Sequence, residues 1–432
     1  MPAFRPSKTA RIHAIPHLAA LRHRDYRNTW TANMLGGAAM WTYMVAVSWM
    51  VFSRSNSSGW VGVITFFGML PFLLVSPIGG LIADRFDRRN VVLAAFLGTA
   101  LTTGITAALV ISGAIEIWHL PALVFLGGVL RAVQEPAIQS LVPNQVPRED
   151  LLNAITLSAA TRHGSRFFGL LVAAPLLAID FIGISGVIVL SAIFQLSGAY
   201  YMTRARTVST GEIEPERGFA RNIADGLVYT YTNKPLAVFM VLVALHCILV
   251  MSFESMLPVF SRGRLGALDG SILGYLVMGY GVGSLVGTVL IAGVRDDKKS
   301  GQWFIWTGVV SGLTPMMLAY SPNVAVAVLA AAGMGASQST FMALASTHVQ
   351  IMVPDRLRGR VSSIYTLHTG GLMAFANLGY GFLADGFSAP PILFATGVLF
   401  FITMSAATFG QRDIRRIYRT GQLAANNAEV RA

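Results

Sequence analysis

Twelve stretches of this chain are apolar for long enough to cross a lipid bilayer, and that property leaves few folds open. They cover roughly 29–51, 59–83, 90–112, 117–140, 154–179, 181–202, 236–258, 271–293, 302–320, 324–347, 361–387 and 389–409. A helix rises 1.5 Å per residue, so about 20 apolar residues cross the ~30 Å of hydrocarbon. Backbone N–H and C=O groups cannot stay unpaired in lipid, so these stretches must be helices. They are too long and too unbroken to be the alternating strands of a membrane barrel. Composition excludes the soluble alternative: 54% of the 432 residues are hydrophobic and 12% charged, about half the ~25% charge of a soluble domain. The expected class is an all-α membrane protein with twelve transmembrane helices and a lipid bilayer as its main partner.

The basic residues orient these helices. Of the 32 Lys and Arg, 26 fall in the N-terminal arm, the even-numbered loops and the tail. Arg54, Arg262 and Arg264 lie in odd-numbered loops, and Arg131, Arg162 and Arg166 lie inside spans. An alternation of this kind places both termini in the cytoplasm. The formal net charge of +12 therefore encodes topology, and no nucleic-acid partner is expected. Residues 1–28 read as a cytoplasmic arm. No apolar run follows their first charges, so a cleavable signal peptide is not expected, and a mitochondrial-type presequence is the rival reading. The single cysteine, Cys247, allows no internal disulfide and no thiolate cluster.

Residues 203–235 form the longest connection. Phe219, Ile223 and Leu227 recur every four residues there, as in an amphipathic helix lying on the membrane surface. This connection divides the chain into helical halves at 29–202 and 236–409, with a cytoplasmic tail at 410–432. The halves echo each other: Leu81 to Arg89 is matched by Ile291 to Lys299, and Val146-Pro147 by Val353-Pro354, at offsets of 210 and 207 residues. Parallel repeats are a transporter architecture, with the substrate site near the midplane between them.

The run Gly80-Leu81-Ile82-Ala83-Asp84-Arg85-Phe86-Asp87-Arg88-Arg89 resembles the loop 2–3 signature of the major facilitator superfamily, with Asp87 in place of the usual Gly. Leu141-Val142-Pro143-Asn144-Gln145-Val146-Pro147 and Val353-Pro354-Asp355-Arg356-Leu357-Arg358-Gly359-Arg360-Val361 are similar to the branch of bacterial siderophore and macrolide exporters. The resemblance spans about Leu21 to Phe409 and implies two pseudo-symmetric six-helix bundles. It also implies a gating role for Gly80, Asp84, Arg85, Arg88 and Arg89, which fits a carboxylate able to cap a helix or pair with arginine only while the cytoplasmic mouth is closed. Surface charge that merely sets topology is the alternative. In span 5, Gly169-Leu170-Leu171-Val172-Ala173-Ala174 keeps small residues but lacks the Pro and two Gly of the exporters' element. In span 8, Gly279, Gly283 and Gly287 read as a helix-packing stripe.

Ionisable groups at membrane depth are functional candidates by default. Arg131 and Glu135 lie four residues apart on one face of span 4, and Arg131-Ala132-Val133-Gln134 resembles an element associated with proton transfer in the superfamily. Glu135, Arg131 and Glu254 are the proton-coupling candidates, although Arg131 and Glu135 also suit a permanent ion pair. Asn33, Gln134, Arg166 and His246 are the substrate-cavity candidates. The alternative for Arg166 is a pair with Glu135. Glu254 lies about 27 Å along its helix from Leu236, towards the outer end, where it is either a second proton site or a residue that simply faces outer water. Trp30, Asn33, Trp41, Tyr43 and Trp49 in span 1 offer a stacking surface to a flat ligand, although interfacial belts explain Trp30 and Trp49 more simply. The acid that many proton-driven relatives carry in mid span 1 is replaced by about Met40.

No metal-ligand spacing is present, no cofactor is expected, and no Gly-Lys-Ser/Thr phosphate loop points to ATP. The expected function is proton-coupled efflux of an amphipathic small molecule, a drug or siderophore-like compound, by a monomer in a bacterial inner membrane. Uptake or lipid flipping by the same fold is the alternative. A membrane-embedded enzyme is more remote, because only Glu135 with His163 approaches a catalytic pair and no motif supports it.

Overall fold

Short polar side chains decide where the helices begin. In the computed structural model, which describes residues 16–75, 79, 82, 83, 85–209, 219–292, 294, 296–354 and 357–420, Asp87, Asn233, Asp296 and Asn323 each accept a backbone N–H of the first turn that follows. These bonds satisfy amides that no helix can pair internally. The Asp87 that departs from the superfamily signature is thus a helix cap, accepting from Arg89 N at 3.1 Å. Asn56 and Gly266 end helices at positive φ, 52° and 70°, the left-handed turn that closes a helix C-terminus.

The helices are α1 (Arg24–Ser55), α2 (Ser58–Leu74), α3 (Arg88–Ile111), α4 (His119–Leu141), α5 (Leu151–Leu177), α6 (Gly183–Arg204), α7 (Phe219–Thr232), α8 (Lys234–His246), α9 (Leu257–Leu265), α10 (Ser271–Ala292), α11 (Asp297–Ala319), α12 (Val324–Met352), α13 (Arg358–Thr366), α14 (Met373–Phe387), α15 (Ala389–Gly410) and α16 (Arg412–Thr420). No strand occurs among the described residues. Every apolar stretch foreseen in the sequence carries helix. Seven helices among the described residues, with α8 to α9 taken as one, are long and apolar enough to cross a membrane. Helix α2 stops at Leu74, and α4 and α5 carry the polar residues discussed below. The arm expected to end at 28 is already helical from Arg24.

Two expected spans are interrupted. After α8 the chain makes a widened π turn, Cys247–Met251, then a 3-10 turn, Glu254–Met256, before α9. Ser252 Oγ donates to Cys247 O at 2.7 Å and to Met373 O at 3.3 Å, which fastens the break. Between α13 and α14 a second π turn, Leu367–Leu372, packs against the first.

Packing follows small residues, as it must where lipid removes the hydrophobic drive between helices. A Cβ on Gly279, Gly283 or Gly287 of α10 would collide with the carbonyls of Val328, Ala332 and Ala336 of α12. Helix α2 packs on α4, and α3 on α4 and α6; later in the chain α10 packs on α12, and α11 on α12 and α15. Early and late helices meet chiefly through α2 with α14 and α5 with α10.

Three apolar cores result among the described residues. At the end where α1 starts, hereafter the near end, one core draws only on residues 20–205, around Tyr26, Phe96 and Leu141. A second draws only on the late helices, around Phe239, Phe304, Phe341 and Phe400. At the far end, where α1 finishes, a single core joins early residues such as Trp49, Ile64 and Leu170 to late ones such as Leu257, Phe260 and Leu273. The molecule is therefore sealed across its far end, while its near-end cores stay separate.

Candidate functional site

The break between α8 and α9 creates the central polar feature. A continuous helix would carry Glu254 towards the far-end surface. The π turn and Ser252 instead turn it inward, where it meets Arg166 of α5, Nη2 to Oε1, at 3.0 Å. Of the two readings expected for Glu254, simple exposure to outer water does not fit this pairing. Arg166 is 8% exposed, so the pair holds a buried charge rather than a surface one. The guanidinium lies 3.3 Å from the ring centre of Trp41 on α1 and 4.6 Å from that of Tyr280 on α10. Planar, weakly hydrated guanidinium can lie flat in such a stack, which a compact, strongly hydrated ammonium cannot. Gly281 keeps the space open, because a Cβ there would stand 3.0 Å from Arg166 Cγ.

Around the pair, hydrogen bonds continue into the late helices. Tyr280 Oη donates to Gln338 Oε1 at 3.0 Å, and Gln338 Nε2 donates to Val250 O at 2.9 Å. Val250 lies in the π turn, so the widened turn supplies the acceptor. Glu254, Trp41, Met44, Val45, Ser48, Thr65, Leu257, Leu273 and Val277 line a recess of about 340 Å³ directly beneath the far-end seal.

A second recess, about 330 Å³, lies among the early helices and is lined by Asn33, Gly36, Gly37, Arg131, Gln134, Glu135 and Gln195. Arg131 rests against the Met40 thioether and over the Phe72 ring at 5.6 Å. Glu135 pairs with Arg162 of α5 at 3.2 Å and accepts from Gln139 at 3.2 Å. The expected alternatives for Glu135, pairing with Arg131 or Arg166, are both replaced. Arg162 stands opposite Glu135, whereas Arg166, one turn further along α5, is level with the break after α8. Gln195 is 5% exposed, and its Oε1 has no partner among the described residues.

His246 lies apart from both recesses. It is fully buried between the rings of Phe341 and Phe400, at centre distances of 4.4 and 4.9 Å. Trp49 is likewise a core residue, 3% exposed and covered by Arg262, rather than a belt residue. Of the expected gating loop, Gly80 and Asp84 lie outside the described residues. Arg85 is exposed. Arg88 donates to Ser140 O at 3.1 Å and Ser209 Oγ at 3.0 Å, and Arg89 to Thr203 O at 3.0 Å. Both arginines thus fasten the start of the central connection to the early helices. Tyr280, Gln338 and Gln195 went unnoticed in the sequence, because a neutral polar residue inside a span is informative only once the facing helix is known.

Comparison with known proteins places this geometry. A family model described as transmembrane secretion effector matches residues 15–419. Macrolide efflux protein A of Streptococcus pyogenes is 21% identical over 344 residues, 77% of this chain and 81% of that protein. The multidrug efflux pump Tap of Mycobacterium tuberculosis is 24% identical over 354 residues, 78% and 81% of the two chains. The staphyloferrin A transporter of Staphylococcus aureus is 26% identical over 140 residues, 32% and 35%. Among solved structures, the nucleoside transporter NupG superposes with a TM-score of 0.70 at 11% identity, covering 88% of this chain and 99% of its own. A POT family transporter superposes with a TM-score of 0.68 at 12% identity, covering 90% and 96%. These likenesses establish the fold.

Proposed function

This chain belongs to the transmembrane secretion effector family of the major facilitator superfamily, whose members here are transporters and not enzymes, and from that premise we propose that it exports an amphipathic small molecule in exchange for protons. The substrate class is a drug-like or siderophore-like compound, the direction taken by the efflux relatives. In this reading twelve transmembrane helices form two pseudo-symmetric six-helix bundles, 29–202 and 236–409. They rock in a bacterial inner membrane with both termini in the cytoplasm, and the monomer is the working unit. The recurrence of the α2–α4 and α3–α4 contacts as α10–α12 and α11–α12 supports that division.

One observation carries the coupling: the Arg166–Glu254 pair joins an early helix to the late half at the floor of the recess beneath the seal. Exchange requires that proton and substrate exclude each other. A proton and a substrate ammonium or hydroxyl would compete for the same lone pairs of Glu254. The remaining N–H groups of Arg166 would bind substrate oxygens, and Trp41 would offer an apolar face. Protonation of Glu254 leaves Arg166 held by its two aromatic neighbours, so the cation does not lose all support when the pair opens. Glu135, with Arg131 beside the early recess, would hand the proton on to near-end water. Asn33 and Gln134 would line the substrate's polar path. Asp84 with Arg85, Arg88 and Arg89 would close the near end in the opposite state.

Reconstituted vesicles with an imposed pH gradient test this directly, using a fluorescent cationic dye as cargo. Dye movement by wild type should accelerate with the gradient, and Glu254→Gln should be blind to it. Equal rates with and without a gradient in wild type would exclude proton exchange.

A further inference from the structure

The segment that ends α14 repeats, in residue type, the segment that follows α2. Gly381-Phe382-Leu383-Ala384-Asp385-Gly386-Phe387 matches Gly80-Leu81-Ile82-Ala83-Asp84-Arg85-Phe86 at Gly, Ala, Asp and Phe in the same register, 301 residues apart. The two segments finish expected spans 11 and 2, which the alternation of basic residues assigns to opposite sides of the membrane. At the far end the geometry of this copy is explicit. Asp385 accepts from Ser58 N at 2.5 Å, from Gly59 N at 3.0 Å and from Ser57 Oγ at 2.6 Å. A carboxylate of the late half therefore caps the N-terminus of an early helix, at the positive end of its dipole.

The glycines make this approach possible. A Cβ on Gly381 would stand 2.5 Å from Ser58 O, and one on Gly62 would stand 2.9 Å from Asn377 O. Gly381 and Asp385 are four residues apart on one face of α14, so the glycine brings the backbones together and the aspartate closes the contact. Both belong to the seam between α2 and α14, where a rocking motion must part the far end.

We infer that Asp385 is the far-end latch of the transport cycle, the counterpart in place and chemistry of the near-end role assigned to Asp84. This rests on the alternating-access reading above. The three bonds exist only while the far end is closed, so they favour the near-open state, and losing them shifts the balance towards the far-open state.

The test uses the full-length chain with Ser48→Cys as a reporter. Ser48 lines the recess beneath the seal, and native Cys247 is buried and gives no background. Intact cells are treated from outside with a membrane-impermeant maleimide. With Asp385→Ala, labelling at position 48 should rise about five- to tenfold over the same reporter with Asp385 present. Asp385→Glu should fall between the two. Unchanged labelling in an Asp385→Ala protein that elutes from size exclusion like wild type would overturn the latch. A second chain carrying Ser57→Cys and Asp385→Cys should stop transporting when oxidised and recover on reduction. Undiminished transport by the oxidised chain would also overturn it. The labelling needs neither a substrate nor a proton gradient, so it succeeds or fails independently of the coupling assigned to Glu254.

Discussion

Arg166 is held by contacts that require a flat cation. The guanidinium lies flat on Trp41 while donating to Glu254, and a compact ammonium cannot make the planar stack at the same time. Arg166→Lys should therefore behave like Arg166→Ala, with gradient-driven dye transport falling on the order of tenfold in both. Recovery of most of the transport by lysine would mean that charge alone matters. At this scale the sequence revealed the candidates but not their partners. Burying Arg131, Arg166, Glu135 and Glu254 in lipid is costly, which made each visible. Which cation meets which carboxylate depends on how two distant segments align, and no local pattern encodes that. His246 was a candidate for the same reason, yet aromatic packing around Phe341 and Phe400 explains its position.

Elements built on periodicity were legible, and irregular ones were not. The four-residue glycine stripe of α10 predicts close packing, and all three glycines face backbone carbonyls of α12. Gly283→Ala should cost about 1–3 kcal/mol through overpacking, read as a lowered thermal midpoint in detergent. Gly263→Ala, with open space around the position in α9, should not lower the midpoint and should raise it slightly through helix propensity. The break after α8 escaped notice because residues 247–258 are apolar almost throughout, and hydrophobicity cannot distinguish a π turn from an α turn. Pro258 was the available signal, since proline favours a first helical turn, and it lies in the first turn of α9. The central connection was partly legible: α7 forms where the periodicity placed it. The side chains of Phe219 and Ile223 lie outside the described residues, and Leu227 is 42% exposed.

For the molecule as a whole, the distribution of basic residues makes a prediction of its own. A fluorescent protein fused after Thr420 should fold and fluoresce, and alkaline phosphatase fused after Gly113 should be active. The reverse pattern would invert the orientation drawn from the charges. The repeats at about 207–210 residues led to the proposed division of the chain, and the α2–α4 and α3–α4 contacts recurring as α10–α12 and α11–α12 support it. What no repeat could convey is the state of the cycle, because that depends on which end the apolar cores join. The far-end core fuses early and late helices, and the near-end cores do not.

The two π turns, Cys247–Met251 and Leu367–Leu372, touch each other at mid-depth. Below them α8 and α13 are anchored in the phenylalanine-rich core, while beyond them α9 and α14 belong to the seal. A widened turn has weaker ladder bonds and bends more readily than the helix on either side. The late half therefore resembles a jointed finger more than a lever. In the proposed cycle its tips would lift away from the mouth while the knuckles stay seated, so the effort of opening would fall on two short distal pieces rather than on the whole late half.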